Sequence, residues 1–538
     1  MSASASRRAI ACALLLWPAA CLLVDPFDEL AGSPPAPTDD SGPIGADDDA
    51  AADAANDADD ARCAPGTTRA CARATCHGEQ RCDDAGRWDR CDARDASLEI
   101  CSTTESESCL GDGLCTGAPA WGLALGDGVA QHAADVAVDA DGSIYVVGTF
   151  RGSVPQLGLV RDGGSEPIAS FVAKLAPGGA VVWSRQLTDA TLVRVAPAPD
   201  GIVVAGNLHG DLALAGCSAL ASSGSADGLV VRLSRSGDCL VAASFGRGST
   251  LRGVDVDWTT NDVLVAGQLD GTVSFGGPDG GVVLTSESSR VYYVRLDPAL
   301  RGRRGHVVPS TGRVAMNGVV ASQSGWALAY GSFTGSIFGA PAGGVEEGFT
   351  LIFNADDVIV KISRFAGPIA AASFDPSDRM LLVGTFGGVM DLTSMGGPRI
   401  EAKRPDEPFL VRRRLALFTD IDAVGLDVPV HPRAVAADGA GHVLVAGDYD
   451  HPEAGVPGNA SDVFVAKYDA TSLSPLWSRL FGDQRRQQGF GVTADALGSV
   501  IVAGTFSGAL DLGPGLPPLA ANGPGSVNPD ALVLKLLP

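Results

Sequence analysis

An all-β fold, a seven-bladed β-propeller closed by an N-terminal strand, is predicted by three observations in the sequence. An apolar string ending at a glycine recurs seven times, each recurrence carries the same run of short strands and Asp/Gly turns, and the strand missing from the last repeat stands before the first. The composition agrees: 69 Gly and 33 Pro against 19% charged residues in 538 suit many short strands with tight turns.

The recurring strings are Ile144-Tyr-Val-Val-Gly-Thr-Phe, Ile202-Val-Val-Ala-Gly-Asn-Leu, Val263-Leu-Val-Ala-Gly-Gln-Leu and Ala327-Leu-Ala-Tyr-Gly-Ser-Phe. They continue in Leu381-Leu-Val-Gly-Thr-Phe, Val443-Leu-Val-Ala-Gly-Asp-Tyr and Val500-Ile-Val-Ala-Gly-Thr-Phe. The shared glycines, Gly148, Gly206, Gly267, Gly331, Gly384, Gly447 and Gly504, are 53 to 64 residues apart, room for about four strands per unit. An apolar run of this kind suits a strand buried on both faces, and a missing Cβ lets a neighbouring backbone approach closely.

Each string follows another apolar strand and a turn, as in Val136 to Gly142, Val195 to Gly201 and Val492 to Gly498, where Asp and Gly supply the conformations a tight hairpin needs. A third strand, as in Phe171-Val-Ala-Lys-Leu and Leu532-Val-Leu-Lys-Leu, ends near a basic residue in all seven units: Lys174, Arg232, Arg295, Lys361, Arg412, Lys467 and Lys535. An acid stands five residues earlier in five of them, at Asp227, Asp356, Glu407, Asp462 and Asp530. The expectation is that each base pairs with that acid as a structural device, the alternative being a cationic ring lining a central channel.

A fourth strand reads Val181-Val-Trp-Ser-Arg-Gln-Leu or Leu476-Trp-Ser-Arg-Leu-Phe. The chain ends at Pro538 straight after a third strand, while Ala120-Trp121-Gly-Leu-Ala-Leu-Gly126 matches the missing fourth, so the Trp121 strand is expected to close the ring and remove an exposed edge. Lys361 and Gly384 are only 23 residues apart, against 32 to 37 at the other units, which predicts that the fourth blade lacks its outer strand. Asp450-His451-Pro452 replaces a second glycine after Gly447, so that hairpin is expected to differ. Over residues 119–538 these units resemble the SBBP-type propeller repeats of bacterial surface proteins.

Residues 1–20 read as a signal peptide: Arg7 and Arg8 precede an apolar run, Ala9 to Trp17, too short to span a bilayer. The run ends Pro18-Ala19-Ala20-Cys21, which resembles the lipobox of bacterial lipoproteins, although Pro18 stands where that family usually has Leu. The resemblance implies acylation of Cys21. Residues 21–61 carry twelve acidic and no basic residues and too little apolar surface to offset ordering, which predicts a disordered Asp/Ala/Pro linker.

Residues 62–118 form a small cysteine-rich module, too short for a self-sufficient core. Its cysteines are Cys63, Cys71, Cys76, Cys82, Cys91, Cys101, Cys109 and Cys115; with Cys217 and Cys239 the exported chain has an even number of ten, which reads as disulfides. Pairing among the eight is open, whereas Cys217 and Cys239 fall in one blade and are expected to bridge each other. The first half, with Cys76-His77-Gly78-Glu79-Gln80-Arg81-Cys82 and Gly86-Arg87-Trp88-Asp89-Arg90-Cys91, resembles a segment of myxobacterial surface lipoproteins. Between Cys101 and Cys109 only Glu105 and Glu107 could offer oxygen ligands, too few for a hard cation.

The formal net charge of −24 argues against a nucleic-acid partner. The seven histidines are scattered without metal-ligand spacing, Asp139-Ala-Asp141-Gly142 reads as a turn, and no nucleophile elbow or P-loop appears. No catalytic residue, metal or cofactor is therefore assigned. The expected function is that of a non-catalytic, monomeric lipoprotein of the cell envelope, anchored to the outer membrane and periplasmic or surface-exposed, whose propeller binds a protein or polysaccharide. Two alternatives remain, a purely structural component and an enzyme, since Lys467-Tyr-Asp-Ala-Thr-Ser-Leu-Ser-Pro-Leu-Trp477 resembles the repeat of quinoprotein dehydrogenase propellers.

Overall fold

The computed structural model describes residues 64–73, 76–83, 87–88, 117–161, 168–224, 226–246, 248–276, 281–415, 421–426, 428–451, 460–483, 485–513, 515–521 and 528–538. The expected signal peptide, Cys21, the linker, and Cys63, Cys91, Cys101, Cys109 and Cys115 lie outside these residues, as does most of the connection after Gly447 (452–459). Within them the protein is all-β. The only helical elements described are single 3-10 turns at Pro155–Leu157 and Thr393–Met395. Residues 68–81 form a hairpin, Thr68–Arg73 against Cys76–Arg81, and Cys82 is disulfide-bonded.

Seven four-stranded antiparallel sheets are found among the described residues. The first contains Gln131–Val138, Ile144–Phe150, Ala169–Leu175 and Val181–Leu187. The second contains Ala190–Ala198, Gly201–Leu208, Asp227–Ser234 and Cys239–Phe245. The third runs Ser249–Asp257, Asp262–Phe275, Val282–Leu296 and Gly302–Val307. The fourth runs Val314–Ala321, Ala327–Phe333, Glu347–Phe353 and Ile359–Phe365. The fifth has Ile369–Phe374, Arg379–Phe386, Glu407–Arg414 and Ile421–Gly425, and the sixth Val430–Ala437, Val443–Asp450, Ser461–Tyr468 and Pro475–Phe481. The seventh takes Gln487–Ala494, Val500–Phe506 and Asp530–Leu536 from the end of the chain. Its fourth strand is Pro119–Leu125, with Trp121 opposite Lys535, so the first strand after the cysteine-rich region completes the last sheet as expected.

The first strand of every sheet packs on the first strand of the next, and Gln487–Ala494 returns to Gln131–Val138, so seven inner strands form a closed cycle. Packing follows the same cycle. Seven hydrophobic cores each sit between two neighbouring sheets, the last joining Ile501 and Val533 of the seventh to Val146 and Phe171 of the first. Sandwiched between two neighbours, the second strand buries both faces, which is why Ile144 to Val147 and Val500 to Ala503 are fully buried and read as unbroken apolar runs.

The fourth sheet corrects two expectations. It has its outer strand, and that strand is the Val358-Ile-Val-Lys-Ile segment read as the third. The true third strand is Glu347–Phe353, in which Ile352 stands opposite Leu328, the position of Lys174 opposite Tyr145 in the first sheet. Lys361 faces Ile352 from the outer strand. The short Lys361–Gly384 interval is thus one strand mislabelled, and the recurrent base occurs in six sheets rather than seven.

The shared glycines have one cause. A Cβ at any of them would lie 1.9–2.1 Å from a carbonyl oxygen of, or just before, the innermost strand, at His132, Thr191, Thr250, Ala315, Pro368, His431 or Gln488. Gly504→Ala is expected to lose on the order of 3 kcal/mol in urea unfolding, because backbone on both strands must move. Gly178→Ala, where nothing lies within 4 Å of the place a Cβ would take, should change stability by less than about 0.5 kcal/mol.

Candidate functional site

The close carbonyl is one half of a repeated irregularity. Opposite each shared glycine the innermost strand inserts one extra residue: pairing steps from Ala133 to Asp135, Leu192 to Arg194, Leu251 to Gly253, Met316 to Gly318, Ile369 to Ala371, Pro432 to Ala434 and Gly489 to Gly491. A β-bulge leaves the extra residue unpaired and re-aims its side chain. Here the extra residues are Ala134, Val193, Arg252, Asn317, Ala370, Arg433 and Phe490, and all seven line one central funnel of about 1180 Å³.

Besides the bulge residues, the funnel is lined by His132, Arg194, Arg313, His431, Gln268 and Glu346 among others. Its four arginines are not equivalent. Arg433 Nη2 is 2.5 Å from Asp448 and its guanidinium stacks 5.4 Å from the Phe490 ring. Arg194 lies near Asp135, whose carboxyl is pushed up by burial and pulled back by this guanidinium. Arg252 and Arg313 are exposed and, among the described residues, have no ion-pair partner. Burial, and then the Arg486 charge, hold the His132 imidazole below its usual range, favouring the neutral ring. His431 Nε2 sits 2.8 Å from Asp450. Glu346 accepts a 2.5 Å hydrogen bond from Ser332 Oγ.

A second space of about 190 Å³ shares Arg194, Arg433 and Phe490 with the funnel and has Asp135, Asp255 and Tyr330 in its wall. Both carboxylates bridge sheets: Val195 N–H donates to Asp135 at 3.0 Å, and Ala321 N–H donates to Asp255 at 2.8 Å. Asp255 is raised to about 6 by burial, with the two backbone donors at Ala321 and Val256 opposing it and the Asp135 and Asp257 charges adding to it.

The recurrent bases are elsewhere. They sit on the third strands, pressed between sheets, so they make no cationic ring around the funnel. Nor do they pair with the acid five residues back. Three take an acid from a turn, Arg232 meeting Asp200 at 2.6 Å, Lys467 meeting Asp438 at 3.0 Å and Lys535 meeting Asp495 at 2.8 Å, and Arg412 meets Asp422 of its outer strand at 2.5 Å. Most also reach the next sheet. Lys174 donates to the Arg235 carbonyl at 3.5 Å, Arg232 to Pro298 O at 3.5 Å, Lys535 to Pro177 O at 3.3 Å and Arg412 to Thr471 O at 2.7 Å. Arg295 binds Asp257 at 2.6 Å within its own sheet and Asp357 of the fourth at 2.7 Å. Four of the acids five residues back begin their third strands, at the end away from the base, where Asp227 accepts Ser223 N–H at 2.6 Å and Asp462 accepts His451 at 3.0 Å; Asp356 lies in the turn before the fourth sheet's outer strand.

Cys217 and Cys239 form a disulfide at the start of the second sheet's outer strand, with Cα atoms 5.7 Å apart, and neither is among the residues that line the funnel. Asp139 Oδ1 accepts backbone N–H groups of Asp141 at 3.2 Å and Ser143 at 3.0 Å, a hairpin turn. Sequence reasoning missed the funnel residues. A weak signal existed, because the bulge residue precedes the shared glycine by fourteen positions in five sheets (134 to 148, 317 to 331, 370 to 384, 433 to 447, 490 to 504).

No family model and no curated protein matches the chain. Solved structures similar to it include a protein of unknown function from Dyadobacter fermentans, at 12% identity and a TM-score of 0.37 over 78% of this chain and 98% of that one. A putative 6-phosphogluconolactonase from Bacteroides fragilis gives 11% identity and 0.35 over 64% and 86%. The quinohemoprotein alcohol dehydrogenase of Comamonas testosteroni gives 12% and 0.35 over 77% and 76%. None of these similarities carries an activity over to this chain.

Two outcomes test the electrostatics. Arg295→Met leaves Asp257 and Asp357 buried without their cation and should cost about 3–5 kcal/mol in urea unfolding, whereas Arg364→Met, at a pair with the Arg364 side chain 34% exposed, should cost below about 1 kcal/mol. The raised Asp255 group binds its proton more tightly when folded, so its contribution is full below the unfolded value near 4 and is lost as pH rises through about 6. The stability of Asp255→Asn relative to wild type should therefore climb by roughly 2–3 kcal/mol between pH 4 and pH 7; a flat difference in pH-dependent denaturation would refute the assignment.

Proposed function

We propose that the seven sheets are the blades of a β-propeller whose central funnel is the ligand-receiving face of a non-catalytic binding module, carried on the cell envelope by a lipid on Cys21. The convergence of seven bulge residues on one cavity is the observation that carries the binding reading. Regular strand pairing is surrendered at the same place in every sheet, and each time the released side chain faces the same space.

The chemistry of the funnel supports binding over catalysis. Several of its polar groups are engaged in holding shape: Arg433 on Asp448, Ser332 on Glu346, and Asn317 Nδ2 donating at 2.7 Å to the Ile369 carbonyl of the next sheet. Groups fixed this way present a preformed surface. The envelope location rests on the Arg7/Arg8 signal, the Cys21 motif and the even cysteine count read from the sequence.

Both halves are testable on the full chain. Cys21→Ser should move the protein from the membrane to the soluble fraction; a wild-type protein found soluble would overturn the anchor. Immobilised Cys21→Ser protein should retain a partner from envelope extracts and lose it on Ala370→Trp, which plugs the funnel from an inner strand. Equal retention by the plugged protein, with its thermal melt unchanged, would remove the funnel from the binding account.

A further inference from the structure

The funnel is cationic within an anionic protein. The chain carries 63 acidic against 39 basic residues, yet the lining collects Arg194, Arg252, Arg313 and Arg433 with Glu346 as its carboxylate. Two of these arginines are matched by acids in the surrounding wall, Asp135 and Asp448. Arg252 and Arg313 are not, and both are exposed to the lumen. Arg252 is the bulge residue of the third sheet, while Arg313 immediately precedes the innermost strand of the fourth, so neighbouring sheets present two uncompensated guanidinium groups to one space.

The geometry points to an oxyanion-binding site in this funnel, one that takes an acidic oligosaccharide, with Arg252 and Arg313 meeting the carboxylates of successive sugars. This rests on the reading of the funnel as a binding site and adds its ligand chemistry. A guanidinium presents a planar fork of donors that matches a carboxylate two bonds at a time. Two such forks on adjacent sheets suit a ligand with more than one charge. The size fits an oligomer more than a single small anion, since about 1180 Å³ exceeds the range of ordinary small-molecule pockets. Hydroxyl and amide groups at Asn317, Ser332 and Thr385 share the wall with apolar ones such as Val193, Met316 and Phe490, a mixture matched to the hydroxyls and the apolar ring faces of a sugar.

The test is titration calorimetry on full-length Cys21→Ser protein with three probes: trigalacturonate, neutral maltotriose and inorganic phosphate. Trigalacturonate should bind, with affinity falling as salt rises from 50 to 500 mM and roughly tenfold or more in the Arg252→Gln/Arg313→Gln double variant. Both side chains are exposed, so the variant's thermal melt should match the parent's. Maltotriose should bind at least tenfold more weakly. Maltotriose binding as well as trigalacturonate would overturn the anion chemistry while leaving the funnel a binding site. Phosphate binding without trigalacturonate would overturn the saccharide. Trigalacturonate binding that survives both the double variant and Ala370→Trp would place the ligand outside the funnel and overturn both readings.

Discussion

The approach on which the rest of this fold depends is between a glycine that has no side chain and a carbonyl oxygen that occupies its place. At each of the seven shared glycines that oxygen lies 1.9–2.1 Å from where a Cβ would be. The carbonyl can come so close because the innermost strand kinks there to take in an extra residue, and the kink can exist because nothing projects from the second strand to block it. One constraint therefore sets two features. It brings the backbone of each inner strand tight against its partner, and it turns one unpaired side chain per sheet into the funnel. Every core between sheets depends on the first, and the funnel lining depends on the second.

Charge plays a complementary part away from the axis. In five of the seven sheets the apolar packing against the next sheet is joined by a more specific tie, the long side chain of the third-strand base, which spans the gap. Arg295 reaches both Asp257 in its own sheet and Asp357 in the next, all three being nearly dry. Such a trio contributes less to net stability than its short distances suggest, because three charges have left water. It does penalise any register in which the neighbouring turn is absent. The fourth sheet, with Ile352 at this position, relies on apolar packing instead, through Ile352 and Leu328 in the core shared with the fifth.

The strand order was legible because two-sided burial writes itself as unbroken apolar runs, and closure was legible because a fourth strand missing at Pro538 has its counterpart at Trp121. The fourth sheet shows the limit of that signal. Glu347–Phe353 lacks the base that marked the other third strands, while the outer strand Ile359–Phe365 happens to hold Lys361 within an alternating apolar string. Local pattern favoured the wrong strand; only register against Ala327–Phe333 distinguishes them. The funnel was harder still. A bulge residue has no pattern of its own, being Ala in one repeat and Arg or Phe in another, and its meaning comes from six others that are dozens or hundreds of residues away.

That variability is itself informative about how such a molecule divides its work. Positions that close the ring repeat nearly unchanged: the glycine, the apolar run before it and the turn Asp that accepts backbone N–H groups, as Asp139, Asp375 and Asp495 do. The bulge position escapes every one of those demands. Its residue is unpaired in the strand ladder and lines the funnel, and its contacts differ from sheet to sheet: Asn317 donates to the Ile369 carbonyl and Arg433 pairs with Asp448, whereas Arg252 is exposed. In a chain of net charge −24 the long-range field repels anions, and only closely placed, solvent-facing cations can reverse it locally. Arg252 and Arg313 stand on adjoining sheets, exposed and with no ion-pair partner among the described residues, and they are the charges that the proposed anionic ligand would meet.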